Sequence, residues 1–263
     1  MLNKIDSMYK IGIRYFAIFF DDLNKEQNGT IQANFLNKIQ TSLDKKYVDL
    51  FSLITVPTEY TKTMMMDKEG HIKNYTSQFS AILNKNIIEL YTGEDAVCDG
   101  ISEESYKEVK DIYGRELGFW WNYPVNDYYN AGGNRNINLA LGPIEKLPKA
   151  KPNSIFYNPM EQPLLSKISI GTGAYYALST DTYDSIASRN KIIEKQFGGL
   201  APAMKVFASH SQHLENSWAK CGPADAPEFY AKAHQAVLYT KEGKTVDFTE
   251  LNKFIFVNLI KFF

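Results

Sequence analysis

An almost entirely apolar stretch that ends in two adjacent carboxylates constrains this chain more than any other feature. Residues 15–20 contain no Gly or Pro, and the run stops at Asp21 and Asp22, before a polar loop that contains Asn28 and Gly29. Such a run predicts a strand that is buried on both faces, as in a parallel sheet covered by helices. Chemistry in these sheets takes place beyond the carboxyl ends of the strands. The two acids are therefore candidate catalytic groups, although a helix-capping acid beside a solvated loop acid would give the same pair.

The alternation of strand, loop and helix continues along the chain. Further buried strands are predicted at 50–56, 87–91, 117–121 and 154–157, and helices at 33–46, 75–83 and 103–113, with Ser102 as the N-cap of the last. Strands and helices that alternate in this way are typical of βα units around a parallel sheet. The expected fold class is therefore α/β, as a (β/α)-barrel.

The predicted barrel is incomplete, because five strands are counted and closure of this type of barrel takes eight. Residues 1–165 are assigned to a partial barrel domain, and 166–263 to the last barrel helix and a helical appendage, with helical spacing over 166–198 and 206–220. An open sheet would expose two edges and apolar surface. Another polypeptide or a second copy of the chain is therefore expected to complete the barrel; otherwise the chain would fold poorly.

Polar residues recur at one structural position, just past the carboxyl end of each predicted strand. After the two aspartates come Tyr60, Thr92, Asn122, Asp127 and Asn158. In a (β/α)-barrel these positions converge on one pocket. Each residue alone could be an ordinary turn residue, but their recurrence at the same position predicts a site.

Charge and composition argue against several other classes of protein. A net charge of −1 over 263 residues gives no reason to expect nucleic acid or an anionic membrane as a partner. No apolar run reaches the ~18–20 residues of a membrane span, and the first residues lack the apolar core of a signal peptide. Neither a disulfide framework nor a metal site is supported by the spacing of the cysteines and histidines, which are Cys98, Cys221, His71, His210, His213 and His234.

Taken together, the motifs at the strand exits resemble glycoside hydrolase family 84. This family comprises bacterial β-N-acetylglucosaminidases, often labelled hyaluronidases, and the eukaryotic O-GlcNAcases. The matching segments occur in the family's order between about residue 15 and residue 217, and they are 20–22, 56–60, 91–93, 120–128 and 158–162. The combination of paired aspartates with Trp-x-Asn-Tyr-Pro-Val-Asn-Asp is the specific part. The resemblance implies a (β/α)8 TIM-type barrel.

The resemblance also implies a retaining, substrate-assisted mechanism. The substrate's own 2-acetamido oxygen attacks C1 and gives an oxazoline, an exception to the scheme with two catalytic carboxylates. Asp22 would be the general acid/base, and Asp21 would hold the acetamide N–H. One carboxyl must be protonated while its neighbour is ionised, and crowding of two like charges favours this division. Because neighbouring strand residues point to opposite faces, the backbone must leave regular strand geometry here.

Further roles follow from the same resemblance. Tyr60 would donate a hydrogen bond to the acetamide carbonyl. Asn122 and Asn158 would position the acetamide side and the sugar hydroxyls, and Asp127 would bind the 4- and 6-hydroxyls. No metal or organic cofactor is implied, and the substrate would be a glycan or glycoprotein that contains GlcNAc.

Three residues are expected to form the walls of the acetamide pocket. Trp120 would close one side, with Val56 and Thr92 lining it, although packing in the core explains Trp120 and Val56 equally well. The resemblance places the parent protein outside the cell or on its surface.

Two other interpretations remain open. Family members carry further barrel strands, a Gly-rich strand exit and a sugar-binding Lys ahead of the paired aspartates, whereas only twenty residues precede Asp21 here. The chain could therefore be an inactive remnant, or a module that binds GlcNAc-type sugars without turnover. Asp21 and Asp22 could instead hold magnesium for phosphoryl transfer, but no phosphate-cradling Gly-rich loop or basic cluster follows them.

Overall fold

A computed structural model of the chain describes residues 1–23, 27–98, 100–127, 139–144, 148–149, 152–209, 211, 231, 235 and 238–244. It divides into two compact units, and each is described by itself. The first unit comprises the described residues within 1–122 and 146–156, and the second unit those within 123–145 and 157–263. None of the described helices is both long and apolar enough to cross a membrane. The predicted boundary after residue 165 stays a prediction.

A sheet of five short strands forms the centre of the first unit, and its order follows the sequence. The strands are β1 (Ala17–Phe19), β2 (Ile54–Val56), β3 (Ile88–Tyr91), β4 (Gly118–Trp121) and β5 (Ile155–Tyr157), whose last residue belongs to the second unit. The first three pairs are parallel, and Phe119 N donates to Ser154 O at 2.8 Å where β5 joins β4. Sequential strand order with intervening helices confirms the predicted incomplete (β/α)-barrel.

The helices of the first unit are α1 (Leu2–Lys10), α2 (Gly29–Lys46), α3 (Lys62–Met65), α4 (Asn74–Ile82) and α5 (Glu103–Tyr113). The prediction placed Gly29 in a polar loop, which is wrong because α2 begins there; Asn28 directly precedes the helix. Its Oδ1 accepts from Ile31 N at 3.0 Å, so it is the N-cap of α2. Ser102 is confirmed as the N-cap of α5, since its hydroxyl accepts from Ser105 N at 3.1 Å.

Strand β1 is not buried on both faces, so this prediction is wrong. Ala17 and Phe19 are exposed, Phe19 to 41%, whereas all three residues of β2 are buried. The reason is position, because β1 lies at one edge of the sheet and pairs with β2 alone among the described residues. An apolar sequence shows that a strand is able to be buried, but the strands and helices that pack against it determine which of its residues are buried.

After β5, the described residues of the second unit are mainly helical. The unit contains α6 (Pro163–Leu178), α7 (Ser185–Phe197) and α8 (Ala201–Ser209), with 3-10 turns at Thr180–Thr182 and Gly198–Leu200. The stretch predicted as helical over 166–198 is therefore two helices, because Asp184 caps α7 by accepting from Ala187 N at 2.8 Å. Of the helix predicted over 206–220, residues 206–209 lie in α8, and 210 and 212–220 lie outside the described residues. His213, Cys221 and His234 lie outside them as well.

Candidate active site

The two candidate acids lie on a sharp turn at the carboxyl end of β1. Phe20 N donates to Val56 O at 2.9 Å, so pairing with β2 extends one residue past β1 before the chain turns at Asp21. Asp22 has a φ of +51°, in the left-handed region that Asp tolerates better than most non-Gly residues. The predicted departure from strand geometry is confirmed at this residue. Asp21 is half-buried and Asp22 is exposed.

Tyr60, at the exit of β2, contacts the acid pair directly. Its hydroxyl donates to Asp22 Oδ1 at 3.0 Å, and the residue is only 7% exposed. Burial, followed by the charge and hydrogen bond of Asp22 and the charge of Asp21, raises the pKa of the Tyr60 hydroxyl well above its ordinary value. Tyr60 is therefore protonated, and able to donate a hydrogen bond, throughout the physiological pH range.

An apolar cluster surrounds Tyr60 and includes two of the predicted pocket walls. Its buried members are Ile54, Val56, Tyr60 and Leu90. Trp120 is half-buried and packs against this cluster, stacked on Phe156 with 6.1 Å between ring centroids and edge-on to Phe19 at 5.2 Å. The structure thus brings Val56, Tyr60 and Trp120 together. These contacts are consistent both with a role of Val56 and Trp120 in lining the site and with a role in packing the core.

Asn122 and Thr92 lie at the exits of β4 and β3 in the same unit. Asn122 Nδ2 donates to Ala96 O at 2.7 Å, and its Oδ1 accepts from Trp120 Nε1 at 3.0 Å, so two hydrogen bonds orient the amide. Thr92 N donates to Tyr60 O at 3.1 Å. The Thr92 hydroxyl is buried and has no hydrogen-bond partner among the described residues. It retains the capacity to bind a polar ligand atom.

Asp127 and Asn158 belong to the second unit, where Asp127 is exposed and Asn158 is half-buried. Asn126, which is 1% exposed, joins the segments that carry them. Its Nδ2 donates to Gln162 Oε1 at 2.9 Å, and its Oδ1 accepts from Glu161 N at 3.0 Å. Sequence analysis missed this link, although Asn126 lies inside the quoted Trp-x-Asn-Tyr-Pro-Val-Asn-Asp motif.

Sequence analysis also missed three side chains behind the acid pair. The Thr58 hydroxyl donates to Phe20 O at 2.8 Å, directly before Asp21. Gln32, on α2, and Tyr75, on α4, both hydrogen-bond to Thr58. Thr58 stands in the quoted segment 56–60, but nothing in the local sequence marks Gln32 or Tyr75.

The arrangement is suited to proton transfer at a neutral polar ligand. A protonated phenol and two neighbouring carboxyl groups lie beside an aromatic and aliphatic wall, so they can exchange a proton with a ligand and stabilise a developing positive charge. Within the described ranges, no three His, Cys, Asp or Glu side chains are grouped so as to hold a metal ion.

Comparisons with known proteins find related chains in both sequence and structure. A family model described as beta-N-acetylglucosaminidase matches residues 1–209. Protein O-GlcNAcase of Rattus norvegicus is 29% identical over 164 residues, which are 57% of this chain and 17% of that protein, and that of Mus musculus gives the same values.

Among solved structures, CpGH84B is 34% identical with a TM-score of 0.78, and the match covers 92% of this chain and 41% of that one. A mutant of Thermobaculum terrenum O-GlcNAc hydrolase has the same fold, with 24% identity, a TM-score of 0.74 and coverage of 91% and 52%. The chain therefore spans between 17% and 52% of the length of these proteins.

Proposed function

The chain belongs to glycoside hydrolase family 84, the family of the β-N-acetylglucosaminidases, and on this premise we propose that it is a retaining β-N-acetylglucosaminidase. Its substrates would be glycans or glycoproteins that end in GlcNAc. The names of the relatives, protein O-GlcNAcase and O-GlcNAc hydrolase, support this class of substrate. An extracellular or cell-surface location stays a prediction.

The observation that carries the proposal is the hydrogen bond from the Tyr60 hydroxyl to Asp22, beside Asp21. This bond supports the proposal because it holds a hydrogen-bond donor and a candidate acid close enough to act on the same substrate group. The left-handed turn at Asp22 supports a role for both acids in one pocket, because an extended backbone would direct adjacent side chains to opposite faces.

The proposed reaction has two steps. In the first, the acetamido oxygen forms a bond to C1 while the bond from C1 to the glycosidic oxygen breaks, and Asp22 donates its proton to that leaving oxygen. Asp21 accepts a hydrogen bond from the acetamide N–H and stabilises the positive charge of the oxazolinium. In the second, Asp22 removes a proton from water, whose oxygen attacks C1 and opens the oxazoline with net retention.

Tyr60 orients the attacking oxygen in this proposal. Because its raised pKa keeps the hydroxyl protonated, Tyr60 can donate to the acetamide oxygen. When Tyr60 donates to the acetamide oxygen, it no longer donates to Asp22, and the acid form of Asp22 keeps its one proton for the leaving oxygen.

The remaining predicted residues bind and orient the sugar in this proposal. Asn122 presents an amide fixed by Ala96 and Trp120, which supports a role in orienting the acetamide. Trp120, Val56 and Thr92 would line the acetamide pocket. Two further roles rest on the resemblance, namely those of Asp127 at the 4- and 6-hydroxyls and Asn158 at the acetamide and hydroxyl groups.

The testing experiment compares the full chain with Asp22→Asn on two β-N-acetylglucosaminides, one with a poor leaving group and one with an activated aryl group. Asn also tolerates the left-handed φ, so the turn is expected to survive the substitution. Loss of the acid should lower kcat about 100-fold or more on the poor leaving group. The activated substrate needs little protonation, so its kcat should fall much less.

Equal losses on both substrates would show that Asp22 is not the acid. If the unaltered chain turns over both substrates and Asp22→Asn does so at the same rates, the acid is another residue.

The second candidate function is binding of GlcNAc-type sugars without turnover. It is favoured by the exposed edge strand β1, which carries the acid pair at its end. Calorimetric titration of the folded chain with GlcNAc distinguishes the two. Saturable binding together with no hydrolysis of either substrate would establish the binding function, and another polypeptide or a second copy at this edge would then be the expected requirement for turnover.

A further inference from the structure

We propose that Thr58 is a positioning residue that fixes the turn carrying Asp21 and Asp22, and that it acts through its hydroxyl group. The inference rests on the proposed function, because the position of the turn affects activity only if the acid pair reacts. The residue is not expected to touch the substrate.

Phe20, the residue that precedes the acid pair, is held through both its amide and its carbonyl group. Phe20 N donates to Val56 O at 2.9 Å, and Phe20 O accepts from the Thr58 hydroxyl at 2.8 Å. Phe20 O and Asp21 N belong to one planar peptide group. The Thr58 hydroxyl therefore fixes the plane from which the backbone departs toward Asp22.

Thr58 is itself held by two side chains. Gln32 Nε2 donates to the Thr58 hydroxyl oxygen at 3.1 Å, and the Thr58 backbone amide donates to the phenol oxygen of Tyr75 at 2.8 Å. Tyr75 in turn donates to Gln32 Oε1, which closes a ring of three residues. Gln32 Oε1 also lies 3.3 Å from the Thr58 hydroxyl, but the single hydroxyl proton is better placed on the nearer Phe20 O.

Two members of the ring are buried and Thr58 is half-buried, and the packing of two helices sets the geometry of the ring. Gln32 is 6% and Tyr75 7% exposed. Burial raises the pKa of Tyr75 to about 12, so its hydroxyl is a donor at neutral pH. The start of α2 lies so close to α4 that a Cβ at Gly29 would be 2.2 Å from the backbone carbonyl oxygen of Tyr75. Gly29 therefore permits the approach that places Gln32 and Tyr75 around Thr58.

The segment from Thr58 to Tyr60 thus holds the acid pair at two points. Thr58 binds the backbone before Asp21, and Tyr60 binds the Asp22 side chain. The turn between these points includes the left-handed Asp22, a conformation that persists only where surrounding contacts impose it. Loss of the Thr58 hydroxyl should let the turn relax and move the acid away from the leaving oxygen.

The test compares Thr58→Val, which keeps the shape and removes the hydroxyl, with Thr58→Ser, which keeps the hydroxyl. On a β-N-acetylglucosaminide with a poor leaving group, Thr58→Val should lower kcat by about 10- to 100-fold with KM changed little, because a small misplacement of a reacting group has this effect. The activated aryl substrate should lose less. Thr58→Ser should restore kcat to within about threefold.

If Thr58 were only structural, the fraction of folded protein would fall, and kcat on both substrates would fall by the same factor. Equal losses on the two substrates, or a Thr58→Ser variant as slow as Thr58→Val, would overturn the inference.

A second measurement does not depend on activity. Because Phe20 O shares its peptide group with Asp21 N, the 15N resonance of the Asp21 amide should shift in Thr58→Val and stay in place in Thr58→Ser. An unmoved resonance in Thr58→Val would overturn the positioning role. If the resonance moves in Thr58→Val but the unaltered chain hydrolyses neither substrate, the proposed function is refuted and the positioning role of Thr58 is not.

Discussion

The contact between Tyr60 and Asp22 brings a predicted side chain directly onto a predicted acid. It joins residues that are 38 positions apart, across the exits of two neighbouring strands. The phenol is buried while the carboxyl is exposed, so the rigid partner orients the accessible one. If the proposed mechanism holds, this geometry gives Tyr60 a larger effect on catalysis than a residue that only lines the pocket.

Tyr60→Phe should lower kcat for an aryl β-N-acetylglucosaminide by about 100-fold, the usual effect of removing one hydrogen-bond donor from developing charge. The ring is retained, so the apolar cluster around it should keep its packing. Steady-state kinetics beside a thermal unfolding curve would check both points. Tyr15→Phe, at an exposed tyrosine, is the matched control and should leave kcat unchanged. A Tyr60→Phe variant as active as the unaltered chain would contradict the assigned role.

At the scale of residues, the sequence marked the candidate acids and Tyr60 but not the residues that fix their positions. Asp21, Asp22 and Tyr60 stand in short motifs at strand ends, where the fold class gives each position a meaning. Thr58, by contrast, depends on Gln32, which is 26 positions away, and on Tyr75. Such a partnership is set by helix packing and leaves no local pattern in the sequence.

Among the elements, β3 carries an ionisable side chain in an unexpected place. Glu89 is 1% exposed, and burial raises the pKa of its carboxyl to about 8, although Arg115 offsets part of the effect. Arg115 Nε lies 3.7 Å from Glu89 Oε2, which is too far for a hydrogen bond. The Arg115 guanidinium instead donates to three backbone carbonyls, those of Leu83, Asn84 and Ile87.

The buried Glu89 predicts that the chain loses stability as the pH rises from about 4.5 to about 8. In this range the folded state holds a proton that the unfolded chain releases, so the unfolding free energy should fall by at most about 1.4 kcal/mol per pH unit. Below this range the contribution is fully present, and above it the curve should level off. Urea unfolding at a series of pH values measures the slope.

Glu89→Gln cannot ionise, so its unfolding free energy should lack this slope and exceed that of the unaltered chain at pH 8. The exposed Glu69→Gln serves as the control and should retain the slope. A slope that survives in Glu89→Gln would assign the pH dependence to other groups.

The elements themselves were largely predictable, and the errors have physical causes. Helix α5 agrees at both ends because Ser102 and Gly114 mark them, the latter with a φ of +58°. The stretch 166–198 was predicted to be helical from its spacing, which does not show where one helix ends; the division at Asp184 depends on a local N-cap hydrogen bond. Exposure of β1 could not be predicted, since it depends on what pairs with the edge.

For the whole molecule, the edge of the sheet at β1 matters because exposed apolar side chains lie near it. Ile13, Tyr15, Phe19 and Phe51 are all more than 40% exposed near β1. Unpaired strand edges with apolar side chains promote association between chains. A second strand supplied by another polypeptide or another copy would cover this surface.

We predict that the chain self-associates through β1 and that Ala17→Lys weakens the association, because a lysine on an edge strand opposes pairing. Ala17 is exposed, so the unfolding free energy should change by less than about 0.5 kcal/mol. Sedimentation velocity over a range of concentrations measures the effect. Thr41→Lys, an exposed position on α2, adds the same charge elsewhere. Equal effects of the two lysines would show that net charge, and not the edge, controls association.

The first unit is assembled from two stretches of chain, with residues 123–145 of the second unit between them. During synthesis, β1 to β4 therefore leave the ribosome first. Residues 123–145 of the second unit are made next, and β5 follows them. Domains that fold as each is completed usually do so in sequence order, and here that order is interrupted. No single continuous fragment of the gene encodes either unit, and one proteolytic cut between 123 and 145 would separate β5 covalently from the four strands that precede it.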